Sequence, residues 1–265
     1  MRLRRRSLLP MLALGLCFVS TCASAGVGTA LQKRAFAAWQ ERCKSAGEFI
    51  YKPADKVEGI YLITWPTTVN FDDQFRLDDP YGSDSIKDEY LLNFLQGFYH
   101  VPPQAPSVGH PPRIGFHWVE ARDFRDGQLY RYTGRIEEPW QTNKSFLQGY
   151  KRLVYDKVPI QAVSARYGIQ SSDISTRADR ELWIAGGSLK VIDLRTQEVV
   201  GERIGYMFDW AQGSRANQRS PWLLAANNAC PDFHRNYPSP IPGGGAPAQP
   251  SQTLQFVERV LRPAR

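Results

Sequence analysis

Apolar positions along this chain change period several times, and each change predicts an element. Leu31, Ala35, Phe36, Trp39 and Cys43 recur at three- and four-residue spacing, which predicts a helix over residues 30–46 with Gly47 placed to end it. Runs rich in aromatic and β-branched residues follow at 49–52 and 57–65, read as two strands separated by a Pro53-Ala54-Asp55 turn. Leu91, Leu92 and Leu95 give a short helix over 88–96, closed by Gly97. Residues 114–138 then read as a β-hairpin turning at Arg125-Asp126-Gly127, with Tyr130 and Tyr132 alternating with Arg131 and Thr133.

The clearest alternation lies in WIAGGSLKVIDLRTQEVVGERIGY, residues 183–206. A phosphate loop needs glycines at fixed spacing between a strand and a helix. Here Gly186-Gly187-Ser188 leads into Val191-Ile192, so the stretch predicts a hairpin with Arg195-Thr196-Gln197 as its loop. Ile192 would then face Val200 and Lys190 would face Glu202, with Gln197 in the left-handed position. Apolar residues on both faces place this hairpin inside a sheet and under cover on each side. Near the C-terminus, a Pro- and Gly-rich stretch over 238–250 reads as a linker. Ser251 is positioned to cap a final helix whose stripe is Leu254, Val257, Val260 and Leu261. The fold class expected is α+β: a central, mostly antiparallel sheet of β-hairpins with an N-terminal and a C-terminal helix packed on it. The expected organisation is a signal peptide over 1–25, one α+β domain over 26–237, the linker, and a C-terminal helix over 251–265.

The signal peptide rests on Arg2, Arg4, Arg5 and Arg6, an apolar run over 8–20 and the small-x-small site Ala23-Ser24-Ala25. Cleavage after Ala25 and a periplasmic location are expected. Arg5-Arg6 loosely matches a twin-arginine signal and Val19-Ser20-Thr21-Cys22 a lipobox; the ordinary route and no lipid on Cys22 are preferred. The run is too short for a transmembrane segment. Charge changes with processing: the chain is +7, but without its four leading arginines it holds 29 basic groups against 26 acidic, a net +3. That balance gives no reason to expect a nucleic-acid partner. Cys43 and Cys230 are then the only cysteines left, and an oxidising compartment would join them.

Candidate chemistry is sparse. Asp72, Asp73, Asp78, Asp79 and Asp84 lack the spacing of a calcium loop. His100, His110 and His117 are separated by ten and seven residues, with five prolines in the loop over 100–112, a poor zinc pattern. No metal and no cofactor are expected. Arg177, Asp179, Arg180 and Trp183 precede the long hairpin, and Arg215, Arg219 and Trp222 follow it, so both groups meet at one sheet end. Arginine and tryptophan are favoured interface anchors, which makes these seven the candidate partner-binding residues. The alternative is that they form internal ion pairs that fix loops.

The combination of Cys43-Lys-Ser-Ala-Gly-Glu-Phe-Ile-Tyr51, Asp173-Ile-Ser-Thr-Arg-Ala-Asp-Arg180, the 183–206 hairpin, Gly213-Ser-Arg-Ala and Arg219-Ser-Pro-Trp222 resembles a family of uncharacterised exported proteobacterial proteins. Members of that family sit near genes for lipase-type toxins delivered by type VI secretion. The resemblance implies a periplasmic immunity protein, with an exported toxin or enzyme as partner, and carries no residue roles with it. The expectation is therefore a non-enzymatic binding protein with no catalytic residues. The alternative is an exported, hydrolase-like enzyme using Asp72, Asp73, His110 and His117.

Overall fold

The structure, a computed structural model, describes residues 24–76, 86–95, 100–101, 115–149, 151–232 and 249–265. Most of the signal segment, Asp78, Asp79, Asp84, His110 and residues 238–248 of the linker lie outside the described residues.

The described residues begin with α1 (Ser24–Cys43) and the strands β1 (Gly47–Ile50), β2 (Ala54–Val57) and β3 (Gly59–Leu62). Next come α2 (Lys87–Phe94), β4 (His100–Val101), β5 (Trp118–Arg122), β6 (Leu129–Glu137), α3 (Pro139–Thr142), β7 (Lys151–Pro159) and β8 (Tyr167–Asp173). The last part holds α4 (Arg177–Glu181), β9 (Ile184–Asp193), β10 (Glu198–Phe208), α5 (Pro221–Ala225), β11 (Ala229–Cys230), α6 (Gln249–Val260) and β12 (Leu261–Pro263). Among the described residues, ten strands form one sheet in the order β1-β10-β9-β8-β3-β5-β6-β7-β4, with β11 beside β1 on the outer side of β10. Short β3 is the hinge of this arrangement. It runs parallel to both β5 and β8, and from each of these an antiparallel meander leads outward. The fold is α+β, as the sequence predicts.

Side chains alternate across a strand, so neighbouring residues report opposite faces. Leu189, Val191 and Val200 join α2 and α6 in the main core, around Leu91, Phe94, Ile60, Ile169, Phe256 and Val257. On the same face Ala185 and Met207 meet Trp222 and Ala225 of α5. The opposite face is covered at one end by α1, where Ala35, Phe36 and Trp39 lie on Ile184, Tyr206 and Phe208. Beyond α1 that second face is only half-buried at Lys190 and Ile192, so the long hairpin is inside the sheet but fully covered on one side alone. Leu31 of the predicted α1 face is exposed. The sulfurs of Cys43 and Cys230 lie at bonding distance with their Cα atoms 5.6 Å apart, which pins the end of α1 to β11.

The long hairpin departs from expectation only near its turn. Asp193 pairs with Glu198, so the loop has four residues, and Ile192 meets Val199 rather than Val200. A bulge at Val200 then restores the expected register, and Val191–Gly201 and Lys190–Glu202 pair as predicted. The bulge lets Val200 and Gly201 both face α6, where a Cβ on Gly201 would sit 2.6 Å from Val260. Gln197 takes the expected left-handed conformation, with φ at 62°. The Asp193 carboxylate holds the turn, accepting from the Arg195 backbone at 3.0 Å and from Arg166 at 2.8 Å.

Two other expectations are corrected. Residues 53–55 are not a turn between two strands: Ala54 opens β2, which pairs in parallel with β12 at the C-terminus. The final helix starts at Gln249, before Ser251, and ends at Val260, because Leu261–Pro263 leaves it to form β12. All four residues of the predicted stripe are buried in the main core.

Candidate functional site

Both groups of predicted residues meet at the end of the sheet where β9 begins and β10 ends. Helix α4 is started by a capping box: Asp179 N–H donates to Thr176 Oγ1 at 3.1 Å, and Thr176 N–H donates to Asp179 Oδ2 at 2.8 Å. The other Asp179 oxygen accepts from Arg42 of α1 at 2.9 Å. Burial pushes the Asp179 carboxyl up, but the Thr176 hydroxyl and the Arg42 guanidinium override it and hold it below the ordinary value.

One turn on, Arg180 is buried, donates to Asp173 and stands 5.3 Å over the Trp222 ring. Trp183 takes a left-handed conformation, with φ at 55°, and its ring lies 5.0 Å from that of Trp222. Gly213 is required against it: φ there is 77°, and a Cβ would fall 2.1 Å from the Trp183 ring. Buried Asp209 organises the loop after β10, accepting from Gly213 N–H at 2.7 Å and from Arg219 Nη1 at 3.0 Å.

Residues 70–76, the stretch that carries Asp72 and Asp73, close this cluster. Trp222 N–H donates to Phe71 O at 3.1 Å, and its indole N–H donates to Asp73 O at 2.7 Å. Gln74 donates to the Arg180 carbonyl at 2.7 Å. The segment is also tied to itself: Asn70 Oδ1 accepts from Asp73 N–H at 2.9 Å, and Asp73 Oδ1 accepts from Phe75 N–H at 3.1 Å. This scaffold presents Phe71 and Phe75, which are 46% and 52% exposed. Arg177 lies 5.0 Å over the Phe75 ring and pairs with Glu181 at 3.3 Å, while Arg215 pairs with Asp72 at 3.1 Å.

The seven predicted residues therefore divide. Asp179, Arg180, Arg219 and Trp222 face inward and fix loops; Trp183 is half-buried; Arg177 and Arg215 are exposed. Phe71 and Phe75 were missed, although two phenylalanines four apart inside the polar stretch Asn-Phe-Asp-Asp-Gln-Phe were a readable signal. Replacing Trp222 by Phe keeps a ring and removes the indole N–H. The expected loss is about 1 kcal/mol of stability, with faster amide exchange over residues 71–75; unchanged exchange would show that Gln74 and the Phe71 carbonyl hold the loop by themselves.

Of the residues of the enzyme alternative, His110 lies outside the described residues, and the described Asp72, Asp73 and His117 form no group of three. Asp72 is paired with Arg215, Asp73 is spent inside its own loop, and His117 stands just ahead of β5, its backbone N–H donating to Glu58 O at 2.8 Å. Among the described residues there is no group of three or more metal-ligating side chains. The acids at the sheet end are answered by arginines and backbone N–H groups, an arrangement suited to presenting a fixed surface. No family model, curated protein or solved structure matches the chain.

Proposed function

We propose that this chain is an exported, non-enzymatic binding protein that masks a protein partner in the periplasm, as an immunity protein masks a lipase-type toxin. The observation that carries the reading is the loop over residues 70–76, which holds two phenylalanines outward on a scaffold of buried Arg180 and Trp222. An exposed aromatic pair that is already ordered loses little conformational freedom on binding, which is what favours an interface anchor. Arg177 and Arg215 flank the pair, and their exposed ion pairs are weak enough to exchange for contacts with a partner. Two further observations fit export. The Cys43 and Cys230 sulfurs at bonding distance suit an oxidising compartment, and among the described residues no helix is long and apolar enough to cross a membrane.

The test is capture from periplasmic extract with lipase-type toxins encoded nearby co-expressed, followed by affinity measurement on the partner found. Phe75→Ala is expected to weaken binding about 30-fold while leaving the melting temperature within a degree or two. A partner that binds wild type and Phe71→Ala/Phe75→Ala equally would move the interface elsewhere. A preparation that captures nothing, yet turns over an ester or glycoside substrate, would replace this reading with the enzyme.

A further inference from the structure

Strands β6 and β7 pair to their ends, with Glu137 opposite Arg152, and the connection between them, described over 138–149, stands clear of the sheet. Residues 141–149 are exposed without a break. The tip is nevertheless ordered by its own contacts. Pro139 starts the single turn α3, Asn143 N–H donates to Pro139 O at 2.7 Å, and Asn143 Oδ1 accepts from the Ser145 N–H at 3.0 Å and the Ser145 hydroxyl at 2.7 Å. At its apex Leu147 is 67% exposed, the highest value of any large hydrophobic residue among the described residues, and Phe146 beside it is also exposed. The charge around this apex is basic. Lys144 is the one charged residue between 139 and 149, and its ammonium stands 3.7 Å over the Trp140 ring. At the base of the tip the acids are already answered: Glu138 by Lys151 at 3.5 Å, and Glu137 by Arg152 at 3.1 Å and by Arg135 at 2.6 Å, the latter shared with Asp156 at 3.0 Å. Over residues 135–152 four basic residues stand against two acids, a net +2.

We propose that this hairpin tip is a peripheral anchor for the surface of an anionic phospholipid bilayer. Phe146 and Leu147 enter the boundary of the acyl chains, and Trp140 lies at headgroup level, where amphipathic rings are favoured. Lys144 keeps its stem along that ring and extends its ammonium to lipid phosphate, with the net positive charge of the base adding attraction. A protein partner fits this shape less well, because the centre of a protein interface is depleted in lysine. The strand registers put the tip at the opposite end of the sheet from Phe71 and Phe75. Thr133 of β6 pairs with Trp118 at the start of β5, β3 and β8 run parallel to β5, and Tyr167 at the start of β8 pairs with Asp193 at the end of β9. The candidate partner surface lies at the start of β9, about 30 Å away along its ten residues. One end of the sheet would thus seat the protein on lipid while the other stays open to a partner, and neither role depends on the other.

The experiment is cosedimentation of the protein, purified in its exported form, with sucrose-loaded vesicles. Phosphatidylcholine alone is compared with phosphatidylcholine containing about one-third phosphatidylglycerol. The expected result is binding to the anionic vesicles only, half-complete on the order of 1 mM lipid at about 0.1 M salt and weaker as salt rises. Leu147→Ser is expected to weaken it about tenfold and Lys144→Gln about fivefold. Both side chains are exposed, so the melting temperature of each variant should match wild type. Phe71→Ala/Phe75→Ala should bind vesicles as wild type does. Sedimentation with neither vesicle, equal binding to phosphatidylcholine alone, or undiminished binding of Leu147→Ser would overturn the proposal. So would a lipid-free dimer that Leu147→Ser dissociates, since that assigns the tip to a second copy of the chain. Failure at the tip with Phe75-dependent capture intact rejects the anchor and leaves the partner surface standing. Vesicle binding lost in Phe71→Ala/Phe75→Ala but kept in Leu147→Ser would move the lipid contact to the other sheet end and displace both readings.

Discussion

Replacing Cys43 and Cys230 together by serine is expected to lower the free energy of unfolding by about 4 kcal/mol, to be checked by urea denaturation against wild type. The two cysteines are 187 positions apart. Closing so long a loop removes conformational freedom from the unfolded chain worth on the order of 5 kcal/mol, a figure that native strain and residual unfolded structure reduce. The loss also has a structural address. Helix α1 is held to the second face of the sheet by a small core of Ala35, Phe36, Trp39, Tyr206 and Phe208, and by the Arg42–Asp179 pair. The sulfur link is what ties the end of that helix to β11. Proteolysis between residues 43 and 47 should therefore accelerate in the variant more than cleavage in β8 or β9. A loss below 1 kcal/mol would mean that the aromatic contacts and Arg42 anchor α1 unaided.

The second large effect is at Asp123, buried at the turn between β5 and β6. Its carboxylate accepts from Lys157 Nζ at 2.6 Å, from the Arg125 backbone at 2.9 Å and from the Tyr132 hydroxyl at 3.1 Å. Burial pushes the carboxyl up, but the Lys157 ammonium, the Arg125 backbone N–H and the Tyr132 hydroxyl outweigh it and bring it down to about 2. The Tyr132 phenol moves the other way, raised by burial and by the Asp123 charge. Asp123→Asn leaves Lys157 without its partner and is expected to cost about 3 kcal/mol at neutral pH. The pH dependence has a definite sign. A depressed carboxylate contributes stability above its unfolded value, near 4, and loses it as pH falls through the folded value near 2. Wild type should lose about 2 kcal/mol more than Asp123→Asn across that interval. Parallel stability curves between pH 4 and pH 2 would show that the Lys157 pair has no energetic coupling to folding.

The reading of the sequence succeeded where a local rule decides the outcome. In α1, the buried sides of Ala35, Phe36 and Trp39 follow from helical spacing. The long hairpin was legible because alternation sets which face each side chain takes, and an error of one residue at the turn was absorbed by the bulge at Val200. The α6 stripe was legible for the same reason, although the end of that helix was not: β12 exists only because β2, more than two hundred residues earlier, offers it a partner. The site was half legible. Arginines and tryptophans on either side of the hairpin do converge, because β9 and β10 bring both ends of the hairpin to one sheet end. Which of them would be spent on the interior was not legible, since the contacts that hold this end, from Gln74 to the Arg180 carbonyl and from the Trp222 indole to Asp73 O, come from a distant part of the sequence.

The sequence by itself determined the elements that short-range periodicity can specify: the first and last helices, the two hairpins with their faces, and the pairing of the only two cysteines outside the expected signal. Only the tertiary structure decided that β3 would stand at the centre, parallel to β5 and β8, and that β12 would reach back to β2. It also decided that Phe71 and Phe75, rather than Trp222, would face outward. The physical reason is the range of the forces involved. Side-chain alternation is enforced by each residue's own backbone, whereas strand order and burial are set by long-range competition for one hydrophobic core.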